Sequence, residues 1–413
     1  MTAKPNHPHP AFRVLLAAVI VALLALAAWL AVRQDDDERR QAALQPFYDA
    51  PTDYERRQPG TVLKREQMDV AVPAGGSAER ILYRSERGDG TPTVSSGMVF
   101  RPAGERSGRP VVAWAHGTIG LGDSCAPSRS QQPLADMDWL GGMLKRGWVV
   151  TATDYSGLGT AGISRYLVGK DEARDVLNSV RAARQVDPQS GSRFALWGHS
   201  QGGHSALWSA QESRAYAPEL TLVGTAAGAP AAELVSLFDE QTAQLDSAAA
   251  WVIGSDVTAT WPTAYPDLNL GLVTEPGREN ADRIARECVV LSGIDALLRH
   301  TAGERFFVRE PMTDPSWRGA AEEQTPTALP PNRPLLVAQS LSDKVVLPDT
   351  TALLAKSWCT AGSDLQLLWI DKVSHQDTAI VTGPAVTDWL GDRFAGKPTY
   401  PTCNQPLPIK PAA

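Results

Sequence analysis

Cysteine is scarce in this chain: there are four in 413 residues, Cys125, Cys288, Cys359 and Cys403. No two are spaced C-x-x-C, which excludes a zinc ribbon and a thioredoxin-like centre. Positive charge is also in short supply. Lys and Arg total 39 against 46 Asp and Glu, a formal net charge of −7. That sign is wrong for a polyphosphate partner, so no nucleic-acid binding is expected. No segment of roughly 20–50 residues repeats and no heptad run is sustained, which excludes solenoids and coiled coils. Disorder is excluded as well, because 43% of residues are hydrophobic and only 21% charged, enough to build a large core.

Long apolar runs are missing too, with one exception. Val14 to Val32 is an uncharged stretch of 19 residues, which as a helix at about 1.5 Å per residue would nearly span a hydrocarbon core. Lys4 and Arg13 precede it, and Arg33 and the acidic Asp35 to Glu38 follow. The cationic flank predicts that the rest of the chain is exported. Ala25-Leu26-Ala27 resembles a signal-peptidase site, whereas the run continuing past it suits an uncleaved anchor, so residues 1–34 read as a signal peptide or a membrane anchor. In an exported chain, four cysteines read as two disulfides, with three pairings open.

Beyond this segment, residues 35–60 read as a polar tether and an extended arm ending at Pro59-Gly60. From Val62 to about Phe100 short alternating runs suggest an antiparallel start to a sheet. Compact apolar runs then recur at Pro110–Ala115, Trp148–Thr153, Phe194–Trp197, Leu220–Thr225, Pro334–Ala338 and Leu365–Ile370. Between them lie helical patterns at Lys170–Val186, after Trp197 through Tyr216, and near Ala385–Phe394. Short buried strands alternating with helices predict an α/β fold with a mostly parallel sheet. The rhythm breaks over 231–332, where strand signals are few, and this stretch reads as a mainly helical cap inserted between two parts of a core, 61–230 and 333–413. Trp251, Trp261 and Trp317 in the cap suit either a lipid-facing surface or cap packing.

Gly198-His199-Ser200-Gln201-Gly202 is a G-x-S-x-G run between a strand and a helix. Such a turn exposes a serine hydroxyl above the sheet at a helix N-terminus, whose N–H groups favour developing negative charge. A serine needs a base. In this motif's context an acid and then a histidine follow the serine in the chain. Of the seven histidines, only His375 follows the Pro334–Ala338 strand. His199 should point away from the site, His204 should pack on the helix, and His300 should lie on the cap surface. Asp343 ends the loop after Pro334–Ala338 and is the expected acid; Asp349 reads as a helix first-turn carboxylate, and Asp371 lies too close to the histidine strand. The two oxyanion donors are expected at the Gln201 N–H and in the loop holding Gly117 and Thr118.

Together with Pro46-Phe47-Tyr48, Pro59-Gly60, His116-Gly117-Thr118, Cys125-Ala126-Pro127-Ser128 and Asp154-Tyr155-Ser156-Gly157-Leu158-Gly159, these residues resemble the secretory lipase family, the yeast lipase A type of α/β-hydrolase, over about residues 46–405. The resemblance implies an α/β-hydrolase fold with an inserted helical cap, hydrolysis of carboxylic esters such as acylglycerols, and disulfides Cys125–Cys288 and Cys359–Cys403. The yeast type carries an acidic side chain near its oxyanion site, where this chain has His116-Gly117-Thr118. The expected function is an exported serine lipase or esterase with an ester or lipid substrate, no cofactor and no metal, with membrane association possible through residues 14–32. An acyltransferase or a peptidase could use the same three side chains, and competition between water and an acceptor alcohol or amine separates transfer from hydrolysis. A binding module that merely kept the sheet would fail to react with a fluorophosphonate.

Overall fold

The computed structural model describes residues 36–243 and 247–412. The run at 14–32, and with it the signal or anchor segment, lies outside the described residues. Among the described residues no helix is long and apolar enough to cross a membrane. The chain divides into two compact units, Met1–Phe47 and Tyr48–Ala413. Residues 36–48 are helical (α1), not the tether expected there. Asp36, Asp37 and Glu38 precede Arg39 and Arg40, Arg40 reaches Asp37 at 2.7 Å, and Gln41 to Gln45 are good helix formers, so local propensity overrides the polar composition. The rest of the described arm, up to Gly60, is turns around a short 3₁₀ segment, Tyr54–Arg56.

Nine strands form one sheet: β1 (Val62–Gln67), β2 (Ser77–Glu86), β3 (Pro92–Arg101), β4 (Arg109–Ala115), β5 (Val149–Thr153), β6 (Ser190–His199), β7 (Thr221–Gly228), β8 (Leu335–Ser340) and β9 (Leu365–Ile370). Their order is β1-β2-β3-β5-β4-β6-β7-β8-β9. The first three strands and β5 pair antiparallel, and from β5 onward every pairing is parallel. The helices following α1 are α2 (Leu140–Lys145), α3 (Gly169–Val186), α4 (Gln201–Tyr216), α5 (Leu234–Thr242), α6 (Ala248–Thr260), α7 (Glu275–Ile284), α8 (Val289–Thr301), α9 (Pro315–Gln324), α10 (Pro348–Thr360) and α11 (Thr378–Phe394).

The continuous apolar runs follow from burial of both sheet faces, since successive side chains of a strand point to opposite sides. Val111, Ala113, Phe194, Leu196, Leu335 and Val337 meet α3, α4 and α10 on one face. Val112, Trp114, Ala195, Trp197 and Leu336 meet α2 and α11 on the other. The sheet with helices on both faces is the expected α/β-hydrolase arrangement.

Between β7 and β8 the described residues hold five helices, α5 to α9, and no strand of the sheet. Their apolar core includes Trp251, Trp261 and Trp317, each 0% exposed, which decides between the two expected roles in favour of packing. The same core takes in Ala229 and Ala231 after β7, Tyr166 to Val168 after β5, and Val346 after β8. The helical insert is therefore seated on the C-terminal ends of the parallel strands. Disulfides join Cys125 to Cys288 and Cys359 to Cys403, the pairing the resemblance implied. The first ties the loop after β4 to the start of α8, and the second ties the irregular tail to α10.

Inside the insert, Asp256 of α6 is buried, and its Oδ1 has no hydrogen-bond partner among the described residues. Burial pushes its pKa up to about 8. Below about pH 4 the carboxyl is neutral folded and unfolded. As pH rises toward about 8, the unfolded chain ionises first, the folded state binds more protons, and stability falls. Asp256→Asn should melt like the wild type near the bottom of this window, with a thermal advantage that grows across it. A difference that does not vary with pH in melting curves would contradict the assignment.

Candidate active site

The site is built on the turn from β6 into α4. Ser200 has φ 57° and ψ −120°, a conformation that L-residues rarely hold and that costs on the order of 1–3 kcal/mol. Two glycines let the turn close. A Cβ on Gly198 would meet the Gly202 carbonyl oxygen at 1.9 Å, and one on Gly202 would meet the Ala115 carbonyl oxygen at 1.9 Å. The Ser200 N–H donates to the Gly228 carbonyl at 2.9 Å, tying the turn to the end of β7.

His375 lies on the loop after β9, with Nε2 2.8 Å from Ser200 Oγ and Nδ1 2.8 Å from Asp343 Oδ2. An ionised carboxylate only accepts, so Nδ1 carries the proton and Nε2 is free to accept from the serine. Asp343, on the loop after β8, is 1% exposed. Its Oδ1 accepts from the Val345 and Val346 N–H groups, and its Oδ2 also accepts from Gln339 Nε2. Three side chains far apart in the sequence thus form one hydrogen-bonded line. Ser200 and His375 are each 7% exposed, so the line is largely shielded from bulk water.

Gln201 is the first residue of α4, and its N–H has no intrahelical acceptor. Gly117 comes close to the serine, since a Cβ there would lie 3.4 Å from Ser200 Cβ. The Thr118 hydroxyl is 2.9 Å from the Tyr166 hydroxyl. Tyr155 steadies this loop by donating from its hydroxyl to the His116 carbonyl at 3.2 Å.

His199 departs from expectation. Its ring does not point away from the site but packs on His375, centroids 4.7 Å apart. Its Nε2–H donates to the His375 carbonyl at 2.9 Å. Burial and the neighbouring His375 push its pKa down to about 3, so it stays neutral and serves as a donor. The reversal is tertiary: His199 closes β6, and the loop after β9 supplies a carbonyl across the sheet end. His204 is buried as expected, between Glu172 and the Gln324 carbonyl. His300 is exposed. Asp349 lies in the first turn of α10. Asp371 accepts from Ser342 and does not take part in the line.

Two supporting residues were missed in the sequence. Gln339 donates to Asp343 and accepts from Thr351. Its signal was a polar side chain near the end of an otherwise apolar strand. Glu172, buried in α3, accepts from the Gln201 side chain at 2.7 Å and from Ser205 at 2.7 Å. Nothing in its helical pattern separates it from a surface carboxylate. Among the described residues no cluster of three or more His, Cys, Asp or Glu side chains is arranged to hold a metal.

The geometry of the turn makes a test. Gly202→Ala forces a methyl into backbone and should cost about 3 kcal/mol in urea unfolding, whereas Gly319→Ala in α9, with nothing within 4 Å of the added carbon, should be neutral or slightly stabilising. Equal stabilities for the two variants would mean that the turn is not this tight.

Known proteins are similar to this chain in sequence and fold. A probable inactive lipase of Mycobacterium tuberculosis is 26% identical over 393 residues, 88% of this chain and 86% of that one. A secreted triacylglycerol lipase of Malassezia globosa is 24% identical over 425 residues, 94% and 90% of the two chains. The crystal structure of Candida antarctica lipase A superposes with a TM-score of 0.70 at 18% identity, covering 89% of this chain and 90% of that one. The profile of the secretory lipase family matches residues 127–402, a stretch that takes in the turn at Ser200, the Asp343 loop, His375 and five of the nine strands, β5 to β9, and the protein belongs to that family.

Proposed function

We propose that the protein is an exported carboxylic ester hydrolase that works through an acyl-enzyme on Ser200. The observation that carries this reading is the line from Ser200 Oγ through the His375 ring to Asp343, with both hydrogen bonds at 2.8 Å. Ser200 Oγ attacks the acyl carbon while His375 Nε2 takes its proton. The negative charge that develops on the carbonyl oxygen is met by the Gln201 N–H and by an N–H of the Gly117–Thr118 loop. The intermediate collapses, the C–O bond to the alcohol breaks, and His375 returns the proton to the leaving oxygen. Water then attacks the acyl-enzyme, giving its proton to His375, and the carboxylic acid leaves with Ser200 restored. Asp343 holds the ring in the required tautomer and stabilises its charged form.

One relative bears the name of a probable inactive lipase, so activity itself is part of the proposal. It is supported by the complete set of nucleophile, base and acid in contact distance. Acylglycerols are the proposed substrate class, by analogy with the relative named a triacylglycerol lipase. Two disulfides suit an oxidising compartment, and the apolar run at 14–32 supplies the route of export as a signal peptide or an anchor. Residues 231–332 act as the cap over the serine in this reading.

Ser200→Ala should abolish turnover of p-nitrophenyl esters while the melting temperature stays near that of the wild type. Asp343→Asn should lower kcat by about three to four orders of magnitude. Undiminished turnover in Ser200→Ala would remove the serine from the mechanism.

A further inference from the structure

Among the described residues, five of the nine exposed large hydrophobic side chains lie on helix α8. Val290, Leu291, Ile294, Leu297 and Leu298 are exposed by 70%, 57%, 55%, 57% and 62%. At about 100° per residue they fall within an arc of about 120° on one side of the helix. No charged residue of α8 falls within that arc; Asp295 and Arg299 lie beyond its edge, and Ser292 and Ala296 on the opposite side are buried. Single exposed apolar side chains are ordinary, but five in register on one helix are not.

We propose that α8 is a docking helix for an anionic lipid–water interface, an inference that rests on the ester hydrolase reading above and names the physical state in which its substrate is met. Charge supports this occupant. In the stretch 283–305 the acids Glu287, Asp295 and Glu304 are each paired with Arg283 or Arg299. Arg286 and Arg305, which bracket α8 in the sequence, are exposed and have no acidic partner among the described residues. An otherwise acidic protein therefore carries an exposed cation on either side of this apolar helix in the sequence, a charge that favours anionic headgroups over neutral ones. The stripe is wholly aliphatic, without the Trp, Tyr or Arg anchors that dominate protein–protein hot spots.

The helix is also joined to the candidate site. Val289 N–H, at its first residue, donates to the Ile119 carbonyl at 2.8 Å, and Leu121 N–H donates to the Glu287 carbonyl at 3.2 Å. Cys288, the residue before α8, is bonded to Cys125. The loop carrying Gly117 and Thr118 is thus tied by backbone hydrogen bonds and a disulfide to the root of the docking helix, so that seating α8 on lipid brings this loop and the serine beside it toward the interface.

The test uses the full chain. All four native cysteines are paired, so a Leu297→Cys variant takes an environment-sensitive dye at one position. Vesicles of phosphatidylcholine with phosphatidylglycerol should shift its emission to the blue, and phosphatidylcholine alone should shift it less. The same dye at Glu322→Cys, on α9, should not respond. A triple variant, Ile294→Ser with Leu297→Ser and Leu298→Ser, should lose about tenfold or more of the rate on emulsified tributyrin and keep its turnover of soluble p-nitrophenyl acetate. No dye response to vesicles overturns the proposal, as does a dye response to protein concentration alone accompanied by a doubled mass, which would make a second copy the occupant. If the wild type turns over no soluble ester, the hydrolase reading fails, while the dye still reports on docking.

Discussion

The structure depends on how closely the start of α4 approaches the ends of β4 and β6. Residues 198 and 202 have no room for a β-carbon because backbone already occupies that space. This closeness forces Ser200 into a left-handed conformation. It also sets three things within reach of one another: the hydroxyl, the unpaired N–H groups at the start of α4, and the loop that leaves β4 at His116. A looser turn would separate them, and a helix N-terminus would stabilise no charge at the serine. The strain at one residue is held by the packing of two sheet faces around it.

Around this turn, polar groups are buried in compensated sets. Asp343 is met by two backbone N–H groups, an amide and an imidazole. Glu172 is met by Gln201, Ser205, His204 and the Leu167 N–H. A buried carboxyl left unmatched would cost far more than its hydrogen bonds return, and these partners offset that cost. Asp256 in the helical insert is the contrast, with an oxygen unmatched among the described residues and its proton retained. The insert is held to the core both by its aromatic packing and by the Cys125–Cys288 bond.

Much of this was legible in the residues. Strand positions followed from compact apolar runs because a doubly covered sheet buries both faces, and β9 matches its predicted bounds, Leu365–Ile370. The chain order of serine, acid and histidine pointed to Asp343 and His375, which the loops after β8 and β9 bring to the turn. What could not be read was the long-range polar matching. His199 follows the local rule for a strand end until a carbonyl from 176 residues away captures its ring. Gln339 and Glu172 look like ordinary polar residues until their partners are brought in by the fold. The three tryptophans of the helical insert suit an interior and a lipid surface equally by composition. The exposed apolar stripe of α8 instead consists of aliphatic residues that, in sequence, look like any core helix.

The central claim is that Ser200 is a nucleophile activated by His375. Its most direct measurement is mass spectrometry of the folded protein after exposure to a fluorophosphonate. The account predicts one added phosphonyl group, located on the peptide that contains Ser200, and its loss when His375 is replaced by alanine. An unmodified protein, or a label on any other side chain, would contradict it.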